Sequence, residues 1–192
     1  VVITNFLTKG ISKRSDGKIN INTEDFGILP GLLEPDILQS IQSLPGVMSV
    51  DERVSNINVR GGTHDQNLIL WDGIKMYQSG HFFGLVSAFN PYLTKEVNVS
   101  KNGTSVKYGD GVSSVIDMQL SNSLDQEFRA GVGFNLISAD GFAKVPLDEK
   151  AEIQVSVRRS ITDFIFTPTY DQYLQRVFQD SDFSNPQQGA SE

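Results

Sequence analysis

The chain has 192 residues and carries 16 Lys and Arg against 23 Asp and Glu, a formal charge of −7, with no cysteine. That length can bury a core and can hold one large domain, or a domain with part of another. Scattered acidic residues exclude the concentrated basic face of a nucleic-acid binder, and the lack of cysteine excludes disulfides, thiolate catalysis and cysteine zinc sites. No apolar run approaches the ~20 residues of a membrane helix, and the basic start and apolar core of a signal peptide are missing. The opening Val1-Val2-Ile3-Thr4 reads as the start of a processed chain or as part of something longer.

Val1 to Leu7 is apolar and reads as an edge strand. Lys9 to Lys18 is polar, with a turn at Asp16-Gly17. Ile19 and Ile21 then alternate with Asn20 and Asn22 as a second short strand. Glu34-Pro35-Asp36 opens a helix over Pro35 to Leu44, because proline is tolerated in a first turn and an aspartate complements the dipole. Ile37, Leu38, Ile41 and Leu44 share one helical face, the pattern of core packing, and Pro45-Gly46 ends it.

Ile57 and Val59 alternate with polar neighbours, so Ile57–Arg60 reads as a strand. Gly61-Gly62 stops it, and Thr63 to Gln66 is a polar loop. Leu68 to Trp71 is a short apolar run, as in a strand buried on both faces. Asp72-Gly73 is a tight-turn signal, and Ile74 and Met76 resume the alternation. The strands Ile57–Arg60 and Leu68–Trp71 are expected side by side. Leu85 to Phe89 reads as a helical turn stopped by Asn90-Pro91. Val97–Ser100 and Val115–Gln119 read as strands around a loop punctuated by Gly103, Gly109 and Gly111.

Composition shifts near Ser121. From Glu127 the pattern is dyadic: Phe128, Ala130, Val132, Phe134 and Leu136 fall on one face, and Arg129, Gly131, Gly133 and Asn135 on the other. Asp140-Gly141 reads as a turn, Phe142 to Leu147 as the return, and Asp148-Glu149-Lys150 as a second turn. Ile153, Val155 and Val157 then alternate with polar residues. Strands are expected over Glu127–Ile137, Gly141–Leu147 and Ala151–Arg159. By pattern alone, a wall of an outer-membrane barrel and a soluble meander with one wet face are both open. Thr169 reads as a helix cap with Gln172 three residues on, followed by a stripe of Tyr170, Leu174, Val177 and Phe178. Asp180 to Glu192 is polar and turn-rich.

No catalytic constellation stands out. His64 and His81 lack a His-Glu-x-x-His context, no Gly-x-Ser-x-Gly elbow is present, and the stretch from Gly103 to Gly111 lacks the Gly-Lys-Ser/Thr of a phosphate loop. An enzyme, a bound metal and a cofactor are therefore not expected. The loops Thr63–Asn67 and Tyr77–Gly84 mix aromatic and hydrogen-bonding groups, which suits recognition of a polar organic ligand. The candidate ligand-binding residues are His64, Asp65, Gln66, Tyr77, Gln78, His81, Phe82 and Phe83; for Phe82 and Phe83, plain packing is an equal alternative.

Two blocks carry a family resemblance. Val59-Arg60-Gly61-Gly62, Asn67-Leu68-Ile69-Leu70 and Asp72-Gly73 form the first. Val97-Asn98-Val99, Lys101-Asn102-Gly103, Val106-Lys107-Tyr108-Gly109 and Val112-Ser113-Ser114-Val115-Ile116-Asp117 form the second. In this order and spacing they resemble the plug domain of TonB-dependent outer-membrane receptors, from about Leu29 to Leu120. The resemblance implies an α+β plug with a small mixed sheet and short helices over 1–122, and the first antiparallel strands of a transmembrane β-barrel over 123–192. Such a barrel has about 22 strands, so the chain would be a piece of one. The resemblance makes Arg60, Gly61, Gly62, Asp72, Gly73, Lys101, Tyr108 and Gly109 signature or barrel-contact residues, with Arg60 paired to carboxylates of the barrel wall.

It further implies gated uptake in the bacterial outer membrane, through contact with TonB on a segment upstream of Val1. Its other partners would be the rest of the barrel, membrane lipid and a small-molecule, peptide or oligosaccharide substrate, with iron chelates the default. The details look closer to bacteroidete receptors that carry a carboxypeptidase-regulatory-like domain than to glycan importers of the SusC type. Two other classes stay open: a scaffold subunit of an outer-membrane assembly, and a soluble β-rich adhesion or ligand-binding module.

Overall fold

A computed structural model of the chain describes residues 4–32, 34–51, 53–81, 83–90, 92–101, 103–120, 124 and 127–178. Its largest element is a mixed sheet of seven strands. In chain order these are β1 (Thr4–Thr8), β2 (Ile11–Arg14), β3 (Ile19–Asn22), β6 (Asn67–Trp71), β7 (Ile74–Lys75), β10 (Thr94–Ser100) and β11 (Ser114–Leu120). They lie side by side as β1-β2-β3-β10-β11-β6-β7. The β11–β6 pair is parallel, and the other neighbours are antiparallel.

Register separates the two faces of this sheet. Ile11, Ile21, Val97, Met118 and Trp71 stand in one row across five strands, and Ile19, Val99, Ile116 and Ile69 in the next. These rows form the core, and α2 (Ile37–Gln42) packs on it with Ile37, Leu38 and Ile41, followed by Leu44. Each fully buried aliphatic side chain is worth roughly 1.5–3 kcal/mol, so three of them hold a helix too short to persist alone. The opposite face is polar along β3 and β10, and carries Leu68, Leu70 and Val115 where β6 pairs with β11. Asn20, Asn98 and Asp117 stand in register, and the Asn20 amide donates to Asn98 at 3.1 Å and to Glu96.

The helix from Pro35 to Leu44 is thus shorter than the spacing predicts. Asp36 is its N-cap, accepting the Gln39 N–H at 3.0 Å, and α1 (Thr23–Phe26) is a single turn. One strand expectation and one helical expectation fail. Ile57–Arg60 contributes only β5 (Asn58–Val59), which pairs with β4 (Val47–Met48) and not with Leu68–Trp71. Leu85 to Phe89 is not a helical turn, because β9 (Val86–Ser87) pairs with β8 (Gly80–His81), and the Ala88 N–H extends that pairing to the Ser79 carbonyl at 2.8 Å.

A second, three-stranded sheet comprises β12 (Arg129–Phe134), β13 (Ser138–Asp148) and β14 (Ala151–Ser160), antiparallel throughout. Asp140-Gly141 is not its turn; both residues lie inside β13. The chain reverses at Asn135, whose side-chain oxygen accepts the N–H groups of Ile137 at 2.8 Å and Ser138 at 2.7 Å. The second turn, at Glu149-Lys150, is as expected. Phe128, Val132, Phe134, Leu136, Ile153, Val155 and Val157 are exposed, Val132 to 95%, and none joins the core of the first sheet. The other face carries Lys144, ion-paired with Glu152 at 3.3 Å, and Phe142, whose ring stacks on Tyr92 at 5.1 Å. The final helix, α3 (Pro168–Phe178), is capped by Thr167 rather than Thr169, with the Tyr170 N–H donating to its hydroxyl at 3.2 Å. Among the described residues no helix is long and apolar enough to cross a membrane, which leaves strand crossings open.

Candidate functional site

The β6–β7 hairpin organises the candidate loops. Asp72 and Gly73 both have positive φ, 49° and 83°, as a two-residue hairpin turn requires. Trp71 faces Ile74, Leu70 faces Lys75, and the Met76 N–H reaches Ile69 at 2.9 Å. Tyr77 therefore returns beside the start of β6, where His64–Gln66 forms one turn of 3-10 helix. The two predicted loops do leave one end of a hairpin, but β6 and β7 place them, not β5 and β6.

His64, Asp65, Gln66, Tyr77, Gln78 and His81 are exposed. Thr63 hydrogen-bonds the Asp65 carboxylate and, with its own backbone, holds it below the usual range. Tyr77 is 87% exposed, with the Lys75 ammonium 5.0 Å from its ring centre. Lys75 is itself paired with Asp110, which raises the lysine's pKa. The Gln78 amide donates to the Gly80 carbonyl at 3.4 Å. Phe83 sits at the tip of the β8–β9 hairpin with φ 57° and is half-buried, its ring 6.2 Å from Tyr170 of α3. Phe82 lies outside the described residues. Among the described residues no group of three acidic or histidine side chains could hold a metal.

The two sequence blocks meet at Asn67. Its partner across the parallel ladder is Ser114, whose hydroxyl donates to the Asn67 side chain at 2.7 Å. The Asn67 amide in turn donates to the carbonyls of Ile57 and His64. Next to it the Ser113 hydroxyl donates to the Val59 carbonyl at 2.6 Å. Gly61 has φ 82°, and a Cβ on Gly62 would stand 2.1 Å from the Ser113 oxygen. One glycine is thus needed for its backbone angle and the next for closeness.

The comparison with known families fits this arrangement. Residues 33–115 match the family described as the TonB-dependent Receptor Plug Domain. Over this stretch the chain is similar to a plug domain. No curated protein matches the chain. TonB-dependent receptors are transporters of the Gram-negative outer membrane and not enzymes, so the plug implies a component of such a transporter.

The other residues singled out in the sequence take up defined positions. Arg60 is exposed with φ 50°, and its N–H donates to Gly46 at 2.9 Å. The Lys101 ammonium donates to the Pro45 carbonyl. Burial first, then the charges of Arg60 and Lys13, push the Lys101 pKa down. Neither Arg60 nor Lys101 has a carboxylate partner among the described residues. The Tyr108 hydroxyl donates to Asp117 at 2.9 Å, with Lys107 4.4 Å from the ring centre, and Gly109 is exposed. Beside them an open groove of about 430 Å³ runs between Leu68, Leu70 and Lys75 on one side and Tyr108 to Asp110 on the other.

Sequence reasoning missed Lys13 and the Asn67–Ser114 link. Lys13 comes from a different hairpin, and no local pattern points to it. Asn67 and Ser114 were visible as parts of the two blocks, but their meeting depends on the parallel pairing of β6 with β11.

Proposed function

We propose that this chain is the plug and the first three wall strands of a TonB-dependent outer-membrane transporter, gating the energised uptake of an iron chelate, peptide or oligosaccharide. The observation that carries this reading is the second sheet. Its β13 and β14 have 11 and 10 residues, the length of a tilted membrane-crossing strand. Its apolar face is bare, and its polar face meets the plug. A soluble meander would bury such a face, as contiguous exposed apolar patches are costly in water.

On this reading the domain boundary falls near 122, and the uncompensated Arg60, Lys101 and Lys13 meet carboxylates of wall strands beyond this chain. Substrate meets the plug at His64–Gln66 and Tyr77–Phe83. TonB pulls on a segment upstream of Val1, and the plug rearranges to open a path. Within the family, the Lys101-Asn102-Gly103 stretch supports the bacteroidete group with a carboxypeptidase-regulatory-like domain over the SusC type.

Fractionation of the intact protein tests the reading. It should stay with the outer membrane, require detergent for extraction, and migrate differently on gels before and after boiling. Recovery from the soluble fraction without detergent would overturn it in favour of a soluble β-rich module.

A further inference from the structure

Arg158, on the plug-facing side of β14, has a side chain only 9% exposed. Its guanidinium pairs with Glu34 and donates to the Phe89 carbonyl at 3.5 Å. Glu34 also accepts from the Asn135 amide at 3.4 Å. The cross-strand neighbour of Arg158 is Asp140, which is 8% exposed and has one carboxylate oxygen without a partner. Asp36, two residues beyond Glu34, also feels the charge of Arg158. The guanidinium thus pairs with Glu34, its charge reaches Asp36, and Asp140 stands beside it on the neighbouring strand. Beside it, the Tyr92 and Phe142 rings stack at 18°.

We propose that Arg158 is the latch that seats the plug against the wall, with Glu34 as its plug-side catch. This rests on reading β12–β14 as wall strands. The charge order is opposite to that expected for Arg60: here the wall holds the cation. A buried guanidinium stripped of its carboxylate is strongly unfavourable, so Arg158 favours the state in which Glu34 is in place. Glu34 leads through Pro35 to Asp36, which caps α2 and also accepts the Ser87 N–H. Movement of α2 and β9 away from the wall therefore has to open this pair. A lysine would not be equivalent to Arg158, because it lacks the planar fork that sends one terminal nitrogen to Glu34 and the other to the Phe89 carbonyl.

The test uses the full-length receptor in planar bilayers, with Glu34→Gln, Arg158→Met and the double variant. Each single variant should raise ion leak through the barrel several-fold while the heat-sensitive gel shift persists. The double variant should leak no more than Arg158→Met, because both changes break one contact. Single variants as tight as wild type, or effects that multiply in the double variant, would overturn the latch. If Arg158→Met does not assemble, Arg158→Gln takes its place with the same expectations. Loss of the gel shift in the wild-type protein would instead overturn the wall reading itself, and the latch with it.

Discussion

The Asp36 carboxylate accepts the backbone N–H of Ser87 at 2.9 Å, across 51 residues of sequence. The same side chain caps α2 through Gln39. Asp36→Ala should therefore do more damage than loss of a cap. The cap is worth about 1 kcal/mol, and the orphaned, buried Ser87 N–H costs about 1–3 kcal/mol more. A denaturant titration of the purified protein checks this, and a loss below about 1 kcal/mol would mean that the backbone finds another partner.

Asp36 also predicts a pH effect. Burial raises its pKa above the ordinary 3.8, against the pull of the two N–H bonds and Arg158. In the unfolded chain it ionises near the ordinary value; in the fold it holds its proton to higher pH. The resulting penalty is absent well below pH 4, grows as pH rises from the ordinary value toward the raised one, and is constant above it. Asp36→Asn cannot ionise, so its stability relative to wild type should improve from pH 4 to pH 7. A difference that stays flat, or falls, across that window would contradict the assignment.

Three glycines should separate by mechanism. Gly62→Ala forces a Cβ into Ser113 and should cost about 1–3 kcal/mol. Gly61→Ala meets open space but keeps φ at 82°, a strain of about 1–2 kcal/mol. Gly109→Ala meets nothing and needs no unusual angle, so its melting temperature should match wild type. Equal melting temperatures for all three would show that the Ser113 contact carries no weight.

Periodicity made much of this fold legible before the structure. Alternation in Ala151–Ser160 and the helical stripe of Ile37, Leu38 and Ile41 mark faces that the structure indeed separates. What was illegible depends on partners distant in sequence. Asp140-Gly141 carries a local turn signal, yet Asn135 makes the turn with its own side chain, and Gly141 is held mid-strand between Val132 and Val157. Val59 finds Val47 instead of β6 because Pro45-Gly46 and Gly61-Gly62 bend both segments toward each other. In the candidate site, residue types marked the loops, but the parallel pairing of Asn67 with Ser114 decides where they sit.

The plug loops give a binding prediction. Replacing Tyr77 and His81 together by alanine in the full receptor should leave the fold intact, since both are exposed. Each lost neutral hydrogen bond costs roughly 0.5–1.5 kcal/mol, so affinity for the receptor's ligand should fall about ten-fold or more. Titration of folded receptor in detergent measures this. Unchanged affinity would move recognition to barrel loops outside this chain.

The most direct measurement of the wall reading is lipid contact along β14. The chain has no cysteine, so single cysteines at 154, 155, 156 and 157 can each carry one fluorophore in the full receptor, reconstituted with brominated lipid. Val155 and Val157 face away from the plug, and Gln154 and Ser156 lie on the opposite face. Labels at 155 and 157 should be strongly quenched, and those at 154 and 156 weakly. Uniform quenching, or none at any of the four positions, would contradict a membrane-spanning strand.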